Sequence, residues 1–319
     1  MFLRTTTTAT NNTMLDYIME NQGKYNELAA QASAQKKLLV PSDNPTDAIS
    51  VLNINKNLSQ LDGYVDNMTQ AQNELNVLDT SLASITTVLQ RANDLTVQAA
   101  NGTNGSDALL NIKTEIDEII QTLKSLGNTS FNGSYIFSGT NVGTVPFQDN
   151  VDGGVNYTGT PETGDYERYI QISQGVETAI NVSGDKLLGY YDADSAGTPP
   201  VPTGTGIFKT LYELSDALAV NPPSVASFDD IRSKLDEIQD GIVNVSSVRT
   251  NFGSITNRFN MTKTSIANSV VQLKSFKSEL EDVDLSEALT KLSQQELALK
   301  ATMAVATQSM QSATLLDYL

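Results

Sequence analysis

The apolar positions of this 319-residue chain fall into helical stripes. From Ile54 they step through Leu58, Leu61, Val65, Met68, Leu75, Leu82, Ile85, Leu89 and Ala92 in alternating threes and fours, with Gln72 and Asp79 in two slots. That spacing keeps one narrow face and predicts a helix from about Pro45 to Ala100. At ~1.5 Å per residue it would run roughly 80 Å, far beyond a globular helix. Asn44 as N-cap, Pro45 at the first helical position and Asp47 in the first turn mark its start. Asn101-Gly102 and Asn104-Gly105 mark its end. A shorter helix is expected over Ser106 to Leu126, with Leu109, Ile112, Ile116, Ile119, Leu123 and Leu126 on one face and Gly127 closing it. A third runs from about Phe228 to Leu280 through Ile231, Leu235, Ile238, Ile242, Val245, Phe252, Ile255, Phe259, Ile266, Val270 and Leu273. Near-heptad spacing over that length needs a long partner helix.

The two ends repeat the pattern. Met14, Ile18, Tyr25, Leu28, Ala32 and Leu39 keep 4-3 spacing, as do Leu285, Leu289, Leu292, Leu299, Met303, Ala306, Met310 and Ala313, with Leu315 and Leu316 beyond. Asp284-Leu285-Ser286-Glu287 starts the second helix with a cap of its own. These terminal helices carry few charges and a narrow seam, so alone they are marginal. We expect them to be disordered or loosely ordered in the isolated chain and to fold when copies pack together. A chain whose two ends both need partners reads as a subunit.

Between the helical blocks, residues 141–207 hold 11 of the 20 Gly and 5 of the 9 Pro, with nine acidic and two basic residues. Tyr166, Arg168, Ile170, Ile172 and then Val176, Thr178, Ile180, Val182 alternate as short strands do, and Asp152-Gly153-Gly154 reads as a turn. The expected fold class is therefore mainly α, a long antiparallel helical rod with an inserted β domain. Its parts would be an N-terminal assembly helix (1–44), the first part of the rod with a β-hairpin (45–145), an acidic β-rich outer domain (146–205), the second part of the rod (206–284) and a C-terminal assembly helix (285–319).

Composition narrows the chemistry. Without Cys or His, the usual zinc, haem and iron–sulfur ligand sets and the Cys- or His-based nucleophiles are missing. A net charge of −17 argues against a phosphate backbone as partner. No stretch approaches the ~18 apolar residues of a membrane span, and MFLRTTTTATNN lacks the apolar run of a secretory signal. If the chain leaves the cell, it is expected to do so without a cleaved signal peptide. Asp192-Ala193-Asp194-Ser195-Ala196-Gly197 opens like a calcium loop, but Ala196 takes the fifth, ligating position and Thr203 stands where a bidentate Glu should be, so it reads as a solvated turn. Gly204-Thr205-Gly206 lacks the third Gly of a dinucleotide loop and reads as a linker into the next helix. The carboxylates at Glu115, Asp117, Glu118 and at Glu279, Glu281, Asp282, Asp284 could serve glycoside hydrolysis, yet polar helix faces and caps use acids in the same way. No catalytic, cofactor or metal residue is assigned.

The order of parts resembles the flagellin superfamily, and the motifs within it look most like the hook-associated proteins of the hook–filament junction. Lys36-Lys37-Leu38-Leu39-Val40 followed by Pro41-Ser42-Asp43-Asn44-Pro45 is similar to the family's basic-apolar stretch and proline-paired turn. Asn132-Gly133-Ser134-Tyr135-Ile136-Phe137-Ser138-Gly139-Thr140 looks like the family's hairpin at the border of the insert. Glu281 to Ala288, Gln294 to Leu299 and the ending Ser312 to Leu319 complete the likeness, which covers about residues 12–145 and 230–319. Ala32-Ser33-Ala34-Gln35 departs from the Ser-Gly the family usually places before the basic pair.

The resemblance implies a non-enzymatic structural subunit of the bacterial flagellum, exported by the flagellar type III apparatus and assembled as a ring of its own copies. Its implied partners are the hook-associated protein FlgK, flagellin and an export chaperone of the FlgN type. Implied roles are assembly contacts for Met14, Ile18, Tyr25, Leu28, Leu39, Leu289, Leu292, Leu299, Met303, Met310, Leu315 and Leu316, and turn roles for Pro41, Asp43, Pro45, Gly133, Tyr135, Ile136, Phe137 and Gly139. Tyr135 to Thr140 is expected to be a β-hairpin covering the long helices. A short flagellin that forms the filament itself, or a type III tip or translocator protein, are the competing readings.

Overall fold

A computed structural model describes residues 2–101, 105–150, 154–195, 201–220 and 225–316. The turn expected at Asp152-Gly153 and the Ala196-Gly197 end of the calcium-like stretch lie outside the described residues. Among the described residues seven helices form, in order α1 (Phe2–Ala34), α2 (Pro45–Ala99), α3 (Ser106–Gly127), α4 (Gly184–Leu188), α5 (Gly206–Leu218), α6 (Val225–Glu281) and α7 (Leu285–Leu316). The strands are β1 (Ser130–Phe131), β2 (Ser134–Tyr135), β3 (Phe147–Asp149), β4 (Gly154–Tyr157), β5 (Tyr169–Ser173), β6 (Val176–Ala179), β7 (Tyr190–Ser195) and β8 (Val201–Thr205). The chain divides into two compact units, residues 1–61 with 267–319 and residues 62–266.

The second unit holds most of the core. On α2, Met68, Ala71, Leu75, Leu78, Leu82, Ile85, Leu89, Ala92 and Leu95 are buried. The inner face thus runs through Ala71 and Leu78, and the polar slots Gln72 and Asp79 sit at its margin. Those two tie α2 to α6. Gln72 donates to Asn260 (3.0 Å) and accepts from Lys263 (3.0 Å), and Arg249 clasps both oxygens of Asp79 (2.6 and 3.1 Å). The partners run in opposite order, so the two long helices are antiparallel here. On α6 the buried positions are Ile231, Ile238, Val245, Phe252, Phe259 and Ile266, a strict seven-residue repeat.

Helix α5, absent from the expected elements, completes this packing. Ile207, Phe208, Leu211, Leu214 and Leu218 are buried, Ser215 donates to Asp117 of α3 (2.6 Å), and Thr210 donates to Glu237 of α6 (2.8 Å). Gly204-Thr205-Gly206, read as a linker, is the end of β8 and the first residue of this helix.

The β-rich segment does not build a separate core. Strands β3-β4-β7-β8 form an antiparallel sheet in the same compact unit as the helices, with Phe147 against Phe208 of α5 (ring centroids 5.2 Å apart). The inserted β-rich region expected from sequence is present, and its strands, few and rich in Gly, bury their apolar side against the helices. A second hairpin, β5–β6, straps α2 to α6. Asn67 donates to the Gln171 carbonyl (3.3 Å), Arg168 pairs with Glu74, and Arg258 donates to Thr178.

The border hairpin is also shifted from its expected place. Strands β1 and β2 pair Ser130 with Tyr135 and Phe131 with Ser134 around Asn132 (φ 50°) and Gly133 (φ 80°), the geometry of a two-residue primed turn. Residues 136–140 form the following turn instead of a second strand. Ile136 and Phe137 are nonetheless buried, and Tyr135 half-buried. Gly127 is the last residue of α3, and its lack of a side chain leaves room for the Phe147 ring: a Cβ there would lie 2.6 Å from it.

Candidate assembly surface

The first unit is thin. Among its described residues only the side chains of Ala288, Leu299 and Ala306 are buried among the hydrophobics. Helices α1 and α7 pack on each other along a seam marked by polar bonds: Asn21 donates to Thr302 (3.0 Å), and Gln295 donates to the Asn21 side-chain oxygen (3.1 Å) and carbonyl (3.2 Å). The two ends were expected to be disordered or loosely ordered in the isolated chain. Each is instead a helix that finds part of its partner in the other end, because 3-4 spacing on both allows them to pair.

Ala288, Gln295 and Thr302 are spaced by sevens, as are Leu292, Leu299 and Ala306, and these two rows form the inner face of α7. Leu292 is half-buried. The rest of the expected seam points away: Leu289 is 51% exposed and Met303 41% exposed, with Leu285 beside them also exposed. On α1, Met14, Ile18, Tyr25 and Leu28 are half-buried. Leu39 is exposed in the link to α2. Met310, Leu315 and Leu316 belong to α7, but their side chains lie outside the described residues.

Several exposed apolar residues were missed from sequence: Leu15, Tyr17 and Met19 on α1 and Leu297 and Val305 on α7. The missed signal is the i, i+4 pair Leu15/Met19 and the i, i+8 pair Leu297/Val305, each a second apolar row beside the first. Charges on these helices pair within their own helix, Lys24 with Glu20, Lys291 with Glu287 and Lys300 with Glu296, at 2.6–2.7 Å. Such exposed pairs add little stability, and none links α1 to α7.

The turn between α1 and α2 is built as its sequence suggests. The Asp43 carboxylate accepts from the N–H groups of Leu39 and Val40 (both 2.9 Å), between Pro41 and Pro45. Asn44 caps α2 by accepting from the Asp47 N–H (3.2 Å) and donating to its carboxylate (2.8 Å). Asp284 caps α7 by accepting from Ser286 (2.8 Å) and Glu287 (3.2 Å). Gly133, Tyr135, Ile136, Phe137 and Gly139 belong to the second unit and form no part of this surface.

The carboxylate clusters serve the scaffold. Glu115 pairs with Arg91, Asp117 with Lys113 and Glu281 with Lys36, whose ammonium is held above its usual pKa by the hydrogen bond and charge of Glu281. Among the described residues no group of three or more acidic side chains is placed to hold a metal ion, and no helix is long and apolar enough to cross a membrane.

Comparison with known proteins places these features. Residues 6–142 match the bacterial flagellin N-terminal helical region and residues 235–319 the bacterial flagellin C-terminal helical region. Flagellar hook-associated protein 3 of Escherichia coli (strain K12) is 26% identical over 295 residues, covering 89% of this chain and 90% of the relative. The flagellin of Listeria monocytogenes is 20% identical over 305 residues, covering 95% and 94%. Among solved structures, flagellar hook associated protein-3 of Legionella pneumophila superposes with a TM-score of 0.62 at 14% identity, covering 72% of this chain and 98% of that one. That likeness shows a shared fold.

Proposed function

We propose that this chain, which belongs to the flagellin superfamily, is a structural, hook-associated junction subunit of the bacterial flagellum. Copies would form a ring that joins FlgK at the end of the hook to the first layer of flagellin. The observation that carries the reading is the divided apolar character of α7: one face is spent on α1, and Leu285, Leu289, Leu297, Met303 and Val305 are left exposed. Exposed apolar rows on paired helices call for more helices of the same kind, and copies of the chain supply them. In this scheme α1 and α7 (within 1–44 and 285–319) line the inside of the ring, the long helices of 45–145 and 206–284 make lateral and axial contacts, and 146–205 faces outward. Export would use the flagellar type III apparatus, with an FlgN-type chaperone covering the outer row of α7.

The filament-forming reading is the weaker one, since the hook-associated relative is the more similar of the two by sequence identity. Deleting the gene in its own host tests the choice. A junction subunit leaves finished hooks without filaments and flagellin shed into the medium, restored by the gene supplied in trans. Filaments of normal length on the deletion strain would overturn the proposal. Loss of all flagellin protein would make the chain the filament itself.

A further inference from the structure

Both terminal helices are rooted in one place, and that place is knitted by the backbone. Helix α1 closes at Gln35, a non-glycine residue at φ 56°, with the Lys36 N–H returning to the Gln31 carbonyl (3.2 Å). This is the closure that usually places Gly in the left-handed position. The chain then pairs with the end of α6: Lys37 N–H donates to the Glu281 carbonyl (2.8 Å), Val283 N–H donates to the Gln35 carbonyl (3.2 Å), and Lys36 stands opposite Asp282 as an antiparallel bridge. Side chains repeat the link. Lys37 Nζ donates to the Glu279 carbonyl (2.8 Å), and Lys36 pairs with the Glu281 carboxylate.

The last carbonyls of a helix have no partner inside it. Here two of them on α6, Glu279 and Glu281, are served by Lys37, which has just left α1. In return, the link into α7 satisfies the carbonyl at which α1 ends. Two lysines at the C-terminal pole of α6 also match the sign of its dipole. Neither reversal is complete without the other.

We infer that residues 35–37 and 279–283 form one shared joint, through which the ends of α1 and α6–α7 are ordered or released together. The coupling is carried by the free chain and does not depend on its proposed place in the flagellum. It gives the basic pair Lys36-Lys37 a role that sequence alone did not assign: closing the end of α6 across the chain.

Hydrogen exchange on the purified full-length chain tests it by perturbing one strand of the joint and reading the other. Lys37→Pro removes the N–H that reaches Glu281, and it follows Lys36, whose bridge partner Asp282 keeps it extended, as a residue before proline prefers. Exchange is expected to speed up about tenfold not only in residues 31–37 but also across the joint, in 278–290, while α3 and α5 stay unchanged. A tenfold change corresponds to about 1.4 kcal/mol, the scale of one or two backbone hydrogen bonds. Acceleration confined to residues 31–44 would overturn the inference. Should the proline variant lose protection in α3 and α5 as well, Lys37→Met, which removes only the Nζ bond, decides by the same two peptides: acceleration in 278–290 supports the joint, and its absence refutes it.

Discussion

The division of α7 into an inner and an outer face separates two kinds of defect. Met303 is 41% exposed, so an Asp there meets water in the free chain and costs it about 0.5 kcal/mol of helix propensity. In an assembly that covers the outer row, the same Asp is asked to give up water without a partner. Full burial of a Met side chain contributes about 1.5–3 kcal/mol, of which the exposed share is roughly 1 kcal/mol per contact. An unpaired buried carboxylate adds several kcal/mol more. Together these give a loss of about 4 kcal/mol, or roughly a thousandfold, at each contact. Leu299 is 8% exposed between α1 and α7, so Leu299→Ala should behave oppositely and destabilise the free chain by about 2–3 kcal/mol. The assay is paired: a circular-dichroism melt of the isolated variant, and its capture onto purified hooks bearing FlgK. Met303→Asp should melt close to the parent and fail to be captured. Capture at parental levels, or a melt lowered as far as by Leu299→Ala, would refute the two-face reasoning.

Three further expectations follow. Gln35→Gly relieves a left-handed side chain worth about 1–2 kcal/mol and gives back about 0.5–1 kcal/mol in unfolded-state freedom, so hydrogen exchange in residues 31–37 should slow modestly. Gly127→Ala places a Cβ 2.6 Å from the Phe147 ring and should lower the main melting transition by about 1–3 kcal/mol of stability, whereas no change in melting would show that the ring yields freely. The Tyr212 phenol is pushed up to about 12 by burial, with the Asp149 and Asp117 charges adding to it. The folded chain therefore holds that proton after the unfolded chain has lost it, so stability is retained below pH 10 and falls as pH rises from about 10 to 12. Ultraviolet titration of Tyr212→Phe against the parent should remove one late-ionising phenol.

Much of the helical frame was legible because its limits are written in local chemistry. The start of α2 at Pro45 and of α7 at Leu285 follow from the caps at Asn44 and Asp284, and the end of α3 from Gly127. Helix α5 was not legible, since its apolar face begins directly after Gly206 and a Gly-Thr-Gly run carries the same signal whether it links or starts a helix. The primed turn at Asn132-Gly133 could be read from those two residues, yet the extent of the strands around it could not. That extent depends on Ile136 and Phe137 turning into the core. The candidate assembly surface was half legible. Spacing by threes and fours picks out Leu285, Leu289 and Met303 as readily as Leu292, Leu299 and Ala306, because the two rows are neighbours on one helix. Only the polar partners Asn21, Gln295 and Thr302 tell which row faces α1, and their meaning emerges once both helices are placed.

The contrast in packing between the two units bears on how such a chain could be both stable and adhesive. In the second unit α6 buries one residue at every seventh position from Ile231 to Ile266, and α2 answers with an unbroken face from Met68 to Leu95. At about 1.5–3 kcal/mol for each such side chain, burial gives that unit a hydrophobic core of its own. The first unit continues the same two helices but buries few side chains, and its apolar residues are spread over more than one side of α1 and α7. Besides the short apolar row of Ala288, Leu299 and Ala306, it is held by polar contacts at Asn21 and by the backbone pairing of residues 35–37 with 281–283. Filling the outer rows with apolar side chains that serve no core would be a liability in a protein meant to stay alone. Hydrogen-bonded pairing, by contrast, fixes how α1 and α7 are presented without using the apolar surface that neighbours would need. The arrangement puts specificity into the joint and the Asn21 seam, and leaves the exposed apolar rows free for the proposed assembly.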